Sequence, residues 1–140
     1  MLRRLASVIA GTFTALFVIG ALEQVLPLIY PAIPANLGLN DKKALAEMIA
    51  SMPMGAFAWL LFGFVAGSFC GGLVAGLVAI KKRKEMALVV GFIVLVGGVL
   101  NFAMISHPFW FVVVSLLIYV PLAYMGGSLA SRMKDSRTRK

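Results

Sequence analysis

Residues 55–80 read GAFAWLLFGFVAGSFCGGLVAGLVAI and contain no charged side chain. A helix needs roughly 20 consecutive apolar residues to cross a hydrocarbon core of about 30 Å, and this run exceeds that length. Because a bilayer core supplies no water to backbone amides, a spanning segment has to satisfy its hydrogen bonds internally, as a helix does. The stretch therefore predicts a transmembrane helix and an integral membrane protein.

Three further apolar runs of similar length occur along the chain, at residues 5–29, 86–105 and 109–130. Hydrophobic residues make up 61% of the sequence, above the share of about 45–50% that is usual in soluble domains. The sequence lacks the short alternating segments that are typical of a membrane β-barrel. We predict an all-α membrane protein, a single domain over residues 1–140 in which four transmembrane helices form a compact bundle.

The basic residues lie mostly on one side of such a bundle. Only Lys42 and Lys43 fall on the other side. The remaining basic residues precede the first run, separate the second from the third, or follow the fourth: Arg3, Arg4, Lys81, Lys82, Arg83, Lys84, Arg132, Lys134, Arg137, Arg139 and Lys140. The positive-inside rule therefore predicts a multi-pass protein of the cell membrane with both termini in the cytoplasm. Because the chain is short and has a basic tail, we expect that membrane to be a bacterial inner membrane.

The concentration of basic residues on one side of the bundle also explains the net charge of +8. Basic residues at the cytoplasmic face, including the tail at residues 131–140, attract anionic lipids. We therefore expect the lipid bilayer and its anionic headgroups as partners, and no nucleic acid.

The beginning of the chain has a second interpretation. Met1-Leu-Arg-Arg followed by an apolar run also resembles a secretory signal peptide, with Ala21 as the small residue before cleavage. However, the apolar run continues to Ile29, beyond the usual 7–15 residues of a signal sequence, and Ile19 is too large for its position before the cleavage site. A retained membrane anchor is favoured.

A polar interruption separates the first two runs, and it contains a second kind of helix. Pro31 and Pro34 exclude regular helix at its beginning, and Asp41 is suited to be an N-cap. From residue 42 to 52, one helical face carries Leu45, Met48, Ile49 and Met52, and another carries Lys42, Lys43 and Glu47. This pattern predicts a short amphipathic helix at the outer interface. It could be a lid over an outward-facing cavity, but a surface helix that covers the bundle is favoured.

Small residues recur in the second and third runs at the spacing of helix-packing motifs. Because lipid provides no hydrophobic drive for helices to associate, close backbone approach has to hold them together. The candidate packing residues are Gly63, Gly67, Gly71, Gly72, Gly76, Gly97 and Gly98. Glycines on more than one face of the second helix predict two neighbours, one within the chain and one in another protomer or another membrane protein.

Four polar residues near the outer ends of the runs form the candidate site: Glu23, Gln24, Asn101 and His107. Glu23 lies about 9 Å inside the outer boundary, at about 1.5 Å per residue. An acid at that depth costs about 2 kcal/mol or more unless it is paired, protonated or hydrated. It could bind an ion, a proton or a small solute. A buried hydrogen bond to Asn101 that fixes the helix register is favoured over that alternative.

The chain contains few groups that could carry chemistry. Cys70 is the single cysteine, so neither an intramolecular disulfide nor a CxxC metal motif can form, and no metal or cofactor is expected. Catalytic motifs such as HExxH and GxSxG do not occur. We therefore expect no enzyme. The favoured function is helix association, as a homo-oligomer or a subunit of a larger membrane complex. The alternative is a minimal oligomeric transporter or channel with its site around Glu23 and Asn101.

Overall fold

The computed structural model describes residues 2–31 and 42–138, which form five helices and no strand. The helices are α1 (Leu2–Ile29), α2 (Lys42–Ser51), α3 (Met54–Val78), α4 (Arg83–Met104) and α5 (Phe109–Thr138). All except α2 are long and apolar enough to cross a membrane. The predicted all-helical fold with four candidate spans is confirmed for this part of the chain. The predicted N-cap Asp41, Pro34 and the last two tail residues lie outside it.

The helices end where the sequence supplies a residue that cannot continue them. Tyr30 closes the last turn of α1 with a bond to the Leu26 carbonyl, and Pro31 follows. Pro53, in extended conformation, precedes α3, and this position suits a residue without an N–H donor. The short turn between α3 and α4 contains Lys82 at φ 59°. This left-handed backbone conformation is higher in free energy for lysine than for glycine.

Helix α3 is the centre of the bundle and packs against α1, α4 and α5. Helix α4 packs in addition against α5 and α1, so that α1 and α5 lie on opposite sides of the α3–α4 pair. A larger share of α3 is buried than of any other span in the described residues. The small residues of the second apolar run explain this position, since their helix can be approached closely from several directions.

One glycine face of α3 packs against α1. A β-carbon at Gly71 would lie 2.7 Å from the Gly11 carbonyl oxygen and 2.7 Å from the Ala15 β-carbon. Gly67 approaches the Ala15 carbonyl and the Ile19 side chain in the same way. The two backbones are therefore too close to admit a side chain at Gly67 and Gly71, whereas a β-carbon at Gly63 would lie 3.5 Å from the Leu22 β-carbon, an ordinary contact.

The other glycine face of α3 packs against α5. A β-carbon at Gly76 would lie 2.7 Å from the Ala130 β-carbon and 3.1 Å from the Gly127 α-carbon, and one at Gly72 would overlap the backbone of Ala123. The helices on both glycine faces of α3 thus belong to the same chain. The expectation that one glycine face serves another protomer has no support from this packing, because α1 and α5 fill both faces.

The two ends of the bundle differ in charge and in packing. The basic end carries residues 3–4, 81–84 and 132–134, whereas the α2 end carries α2 and the turn between α4 and α5. The glycine contacts concentrate toward the basic end. Toward the α2 end the core is aromatic instead, with Phe64 at 5.9 Å from Phe111 and 5.5 Å from Tyr119 between ring centroids. Large rings separate the helices there, and a cavity lies beside them.

Helix α2 is amphipathic, as its sequence predicts. Ile49 is only 5% exposed and belongs to the core cluster, and Leu45 and Met48 pack against that cluster. Lys43 and Glu47 are exposed on the opposite face. The helix therefore covers the end of the bundle with its apolar side.

Candidate functional site

A cavity of about 250 Å³ lies between α1 and α4, and side chains of α3 and α5 form its floor. We refer to it as the α1–α4 cavity. Its lining residues are Leu16, Ile19, Gly20, Glu23, Phe64, Val94, Gly97, Gly98, Asn101, Phe102 and Tyr119. Among them, only Glu23 carries a formal charge.

A second cavity of about 230 Å³ lies between α2, the end of α1 and the turn after α4. We refer to it as the α2 vestibule. Glu23 and Asn101 line both cavities, and the remaining lining residues of the vestibule are Gln24, Leu26, Pro27, Leu45, Met48, Ile49, Met52, Leu60, Ile105 and His107. The two cavities meet at Glu23 and Asn101, which lie on facing helices.

Missing side chains at two glycines create the α1–α4 cavity. No atom lies within 4 Å of the positions that β-carbons would take at Gly20 on α1 and at Gly97 on α4. Gly98, one residue further, instead admits the Tyr119 ring, whose Cε2 lies 2.7 Å from the β-carbon position. Of the glycines predicted to pack, Gly97 thus borders open space and Gly98 accommodates an aromatic ring.

The cavity is closed toward the basic end. A β-carbon at Gly11 would lie 2.7 Å from the Ala75 β-carbon and 2.9 Å from a methyl group of Val90. Helices α1, α3 and α4 therefore meet below the cavity with no space between them. In the described residues, the cavity shares Glu23 and Asn101 with the vestibule, and open space borders it at Gly20 and Gly97.

The Glu23 and Asn101 side chains share this site without bonding to each other. In residues 2–31 and 42–138, neither side chain makes a hydrogen bond or an ion pair. The register-fixing Glu–Asn bond that the sequence favours is therefore not formed. Both residues present free polar groups to the cavities, and a carboxylate with no protein partner is available to a ligand.

Pro27 changes the backbone next to the carboxylate. It lies within α1, four residues after Glu23, and a proline has no N–H to donate to the carbonyl at position i−4. The Glu23 carbonyl thus lacks its ordinary helical partner, and Pro27 itself lines the vestibule. Pro27 was not among the predicted site residues, although the Glu-x-x-x-Pro spacing is visible in the sequence.

Aromatic residues of the cavity floor were also missed. Tyr119 is 2% exposed, and its ring lies 5.5 Å from Phe64 at an angle of 53°. Phe102 adds a third ring, 6.4 Å from Phe64 and inclined by 72°. In the sequence these residues resemble any other aromatic in an apolar run. Their convergence depends on the relative register of three helices, which no local pattern specifies.

His107 and Gln24 line the vestibule but not the α1–α4 cavity. The His107 ring stacks on Phe111, with centroids 5.5 Å apart and an angle of 15°. Its Nδ1 lies 2.9 Å from the Ile105 carbonyl oxygen. Burial lowers the pKa of this imidazole below its ordinary value, and the carbonyl opposes the shift only in part. The ring is therefore neutral near pH 7, with Nδ1 as donor to the carbonyl.

Metal-binding groups do not converge in the part of the chain that the structure describes. No set of three or more His, Cys, Asp or Glu side chains lies close enough there to hold an ion. Cys70 lies half-buried in α3. The candidate site thus consists of one carboxylate, one amide, one phenol and an apolar lining.

Comparisons of the chain with protein-family models, with curated proteins and with solved structures find no match. The fold is that of a helical bundle with four helices suited to cross a membrane. Any functional assignment therefore depends on the two cavities and the residues that line them.

Proposed function

We propose that this chain is a multi-pass protein of the cell membrane that binds a small solute or cation at Glu23 and conducts it across the bilayer. The basic end faces the cytoplasm in this proposal, because eleven of the 13 Lys and Arg residues belong to that side and cytoplasmic loops are enriched in them. The α2 vestibule then opens to the outside.

A single observation carries the proposal: Glu23 and Asn101 line two cavities that meet between facing helices. Ionisable side chains in spanning helices are expensive and normally mark a substrate or ion pathway. A carboxylate that only stabilises a fold would be expected to have a hydrogen-bond partner, and Glu23 has none in the described residues.

The close packing around Gly11 makes the two ends of the cavity differ in accessibility. The cavity is accessible from the α2 end and blocked toward the basic end by contacts with Ala75 and Val90. Conduction in this proposal therefore requires α1 or α4 to shift, so that the same site becomes accessible from the cytoplasm. Secondary transporters commonly work in this way, with one site inside the membrane that opens alternately to the two sides.

Helix association remains the competing proposal. Its sequence support was the pair of glycine faces on α3, and both faces are occupied by α1 and α5. An oligomer or a larger complex would therefore have to use the outward apolar faces of the helices, which equally suit lipid. For this reason we rank the conducting function above association.

Reconstitution into liposomes tests the proposal. Fluxes of protons, K⁺, Na⁺ and the organic cation choline are measured for the unmodified chain and for Glu23→Gln, with Glu47→Gln as the matched control, because Glu47 is exposed on α2. We expect at least one flux that Glu23→Gln abolishes and Glu47→Gln preserves. If no flux depends on Glu23, the proposed function is wrong and association becomes the leading alternative.

A further inference from the structure

We propose that the ligand of the α1–α4 cavity is a small organic monocation, an alkylammonium or quaternary ammonium ion. The inference rests on the proposed function and specifies its substrate class. It follows from the combination of one carboxylate with three aromatic rings in a cavity whose other lining residues, apart from Asn101, are apolar.

The charge of the lining requires a positive ligand. Glu23 is the only charged residue among the described residues that line the α1–α4 cavity, and no Lys, Arg or His joins it. An anion would meet the carboxylate without any compensating positive group. A monocation, by contrast, neutralises the acid at a depth where an unpaired charge is costly.

The aromatic rings favour an organic cation over a bare metal ion. Three aromatic rings line the cavity, those of Phe64, Phe102 and Tyr119. The Phe64 ring is inclined by 53° to the Tyr119 ring and by 72° to the Phe102 ring. Rings around a quaternary ammonium group stabilise it through their electron-rich faces, within about 6 Å of each centroid. Metal ions such as Ca²⁺ need six to eight oxygen ligands, and only three lining side chains offer an oxygen here.

The size and shape of the cavity limit the ligand further. Its volume of about 250 Å³ lies just below the range of about 300–1,000 Å³ typical of drug-sized ligands. The gap at Gly20 and Gly97 opens to the flank of the bundle, where a membrane would place acyl chains. An ammonium group at Glu23 with short alkyl substituents directed at Leu16 and Val94 fits the small volume of the cavity and its apolar walls.

Calorimetric titration of the purified chain in mild detergent tests the inference. The probes are choline, tetraethylammonium, KCl, and 3,3-dimethyl-1-butanol, which has the shape of choline without its charge. We expect saturable binding of at least one of the two organic cations and none of the neutral alcohol. Binding of the alcohol with the affinity of choline would overturn the inference, because the cavity would then recognise shape alone.

Two variants assign the binding to this cavity. Gly97→Leu places a side chain where no atom lies within 4 Å, so the fold is retained and the cavity is filled. Val96→Leu is the matched control, since Val96 is exposed on the same helix. We expect Gly97→Leu to abolish binding of the organic cation and Val96→Leu to preserve it. Unchanged binding in Gly97→Leu would place the ligand elsewhere and overturn the inference.

A third variant tests the aromatic contribution. Phe102→Leu should weaken choline or tetraethylammonium binding by about threefold to thirtyfold, the range expected for one lost cation–π contact. Phe62→Leu is its control, because Phe62 is exposed on α3. Helix content and elution volume show whether Phe102→Leu is folded. A folded variant with unchanged affinity would show that the aromatic rings do not contribute to cation binding and would overturn that part of the inference.

The results separate this inference from the proposed function. Proton, K⁺ or Na⁺ flux that depends on Glu23, without binding of either organic cation, would overturn the substrate class and leave the conducting function in place. Binding of an organic cation that Glu23→Gln abolishes supports both. The absence of binding and of any Glu23-dependent flux would overturn both.

Discussion

The indole Nε1 of Trp59 donates a hydrogen bond of 2.9 Å to the backbone carbonyl oxygen of Leu22. The bond connects α3 to α1 one residue before Glu23, at the border of the cavity. In the described residues, no other side-chain hydrogen bond joins these two helices. Their remaining contacts are apolar side chains and closely approaching backbones. Trp59 thus helps to set the position of the carboxylate, although it lines neither of the two cavities.

Trp59→Phe keeps an aromatic ring at this position and removes the donor. We expect the free energy of unfolding in detergent to fall by about 1 kcal/mol, the net value of one hydrogen bond. Trp110→Phe is the control, because Trp110 makes ring contacts but no side-chain hydrogen bond in the described residues. An equal loss in the two variants would mean that ring volume, not the hydrogen bond, stabilises the α1–α3 pair.

Two glycine-to-alanine substitutions should have opposite effects on stability. Gly71→Ala places a methyl group 2.7 Å from the Gly11 carbonyl oxygen, so α1 has to move and about 1–3 kcal/mol is lost. Gly20→Ala meets no atom within 4 Å and improves helix propensity by up to about 1 kcal/mol. Thermal unfolding in detergent measures both. If Gly71→Ala is as stable as Gly20→Ala, the α1–α3 glycine face does not hold the bundle together.

Glu23→Leu should stabilise the isolated bundle while it abolishes function. The carboxylate makes no hydrogen bond in the described residues, so its removal leaves no protein group unpaired, and a charged side chain in a spanning helix costs about 2 kcal/mol or more. We expect a gain of about 1 kcal/mol or more in unfolding experiments in lipid nanodiscs. A loss of stability would instead reveal a structural bond to Asn101 in the membrane.

Stability should depend on His107 in a defined pH range. Burial lowers the pKa of this imidazole in the folded chain, so the unfolded chain binds more protons below about pH 6.5. The stability contribution of the neutral ring is therefore complete above that pH and is lost as the pH falls through the folded-state pKa. His107 is the only histidine, so no other imidazole contributes. His107→Gln should reduce the loss of thermal stability measured between pH 7.5 and 5.5.

The sequence predicts the helices of this fold well, because a spanning helix depends on the length of a single apolar run. Amphipathic α2 is equally local, since its apolar face follows from spacing alone. The glycines of α3 predicted close packing, but local spacing does not specify which helix occupies each face. That choice depends on the lengths of the connecting turns and on the small residues of α1 and α5, such as Gly11, Ala15 and Gly127.

Of the polar groups in the α1–α4 cavity, Glu23 and Asn101 were predictable from the sequence, whereas the Tyr119 phenol was not. Glu23 and Asn101 are conspicuous in apolar runs, and the structure places them at the same two cavities. Tyr119 and Phe64 have no distinguishing local signal, because an aromatic residue in a spanning helix is equally suited to lipid, to the core or to a ligand. Their role depends on the glycine at position 98, which admits the tyrosine ring from a neighbouring helix.

The concentration of glycine contacts toward the basic end has a mechanical consequence. Helices that touch backbone to backbone around Gly71 and Gly76 have little freedom to slide or tilt there, whereas bulky rings and empty space separate them near Phe102. The close contacts therefore hold the helices most firmly near the basic end of the bundle. If the helices tilt about that end, the displacement grows with distance along them, so the segments around Glu23 would move further than the tight contacts.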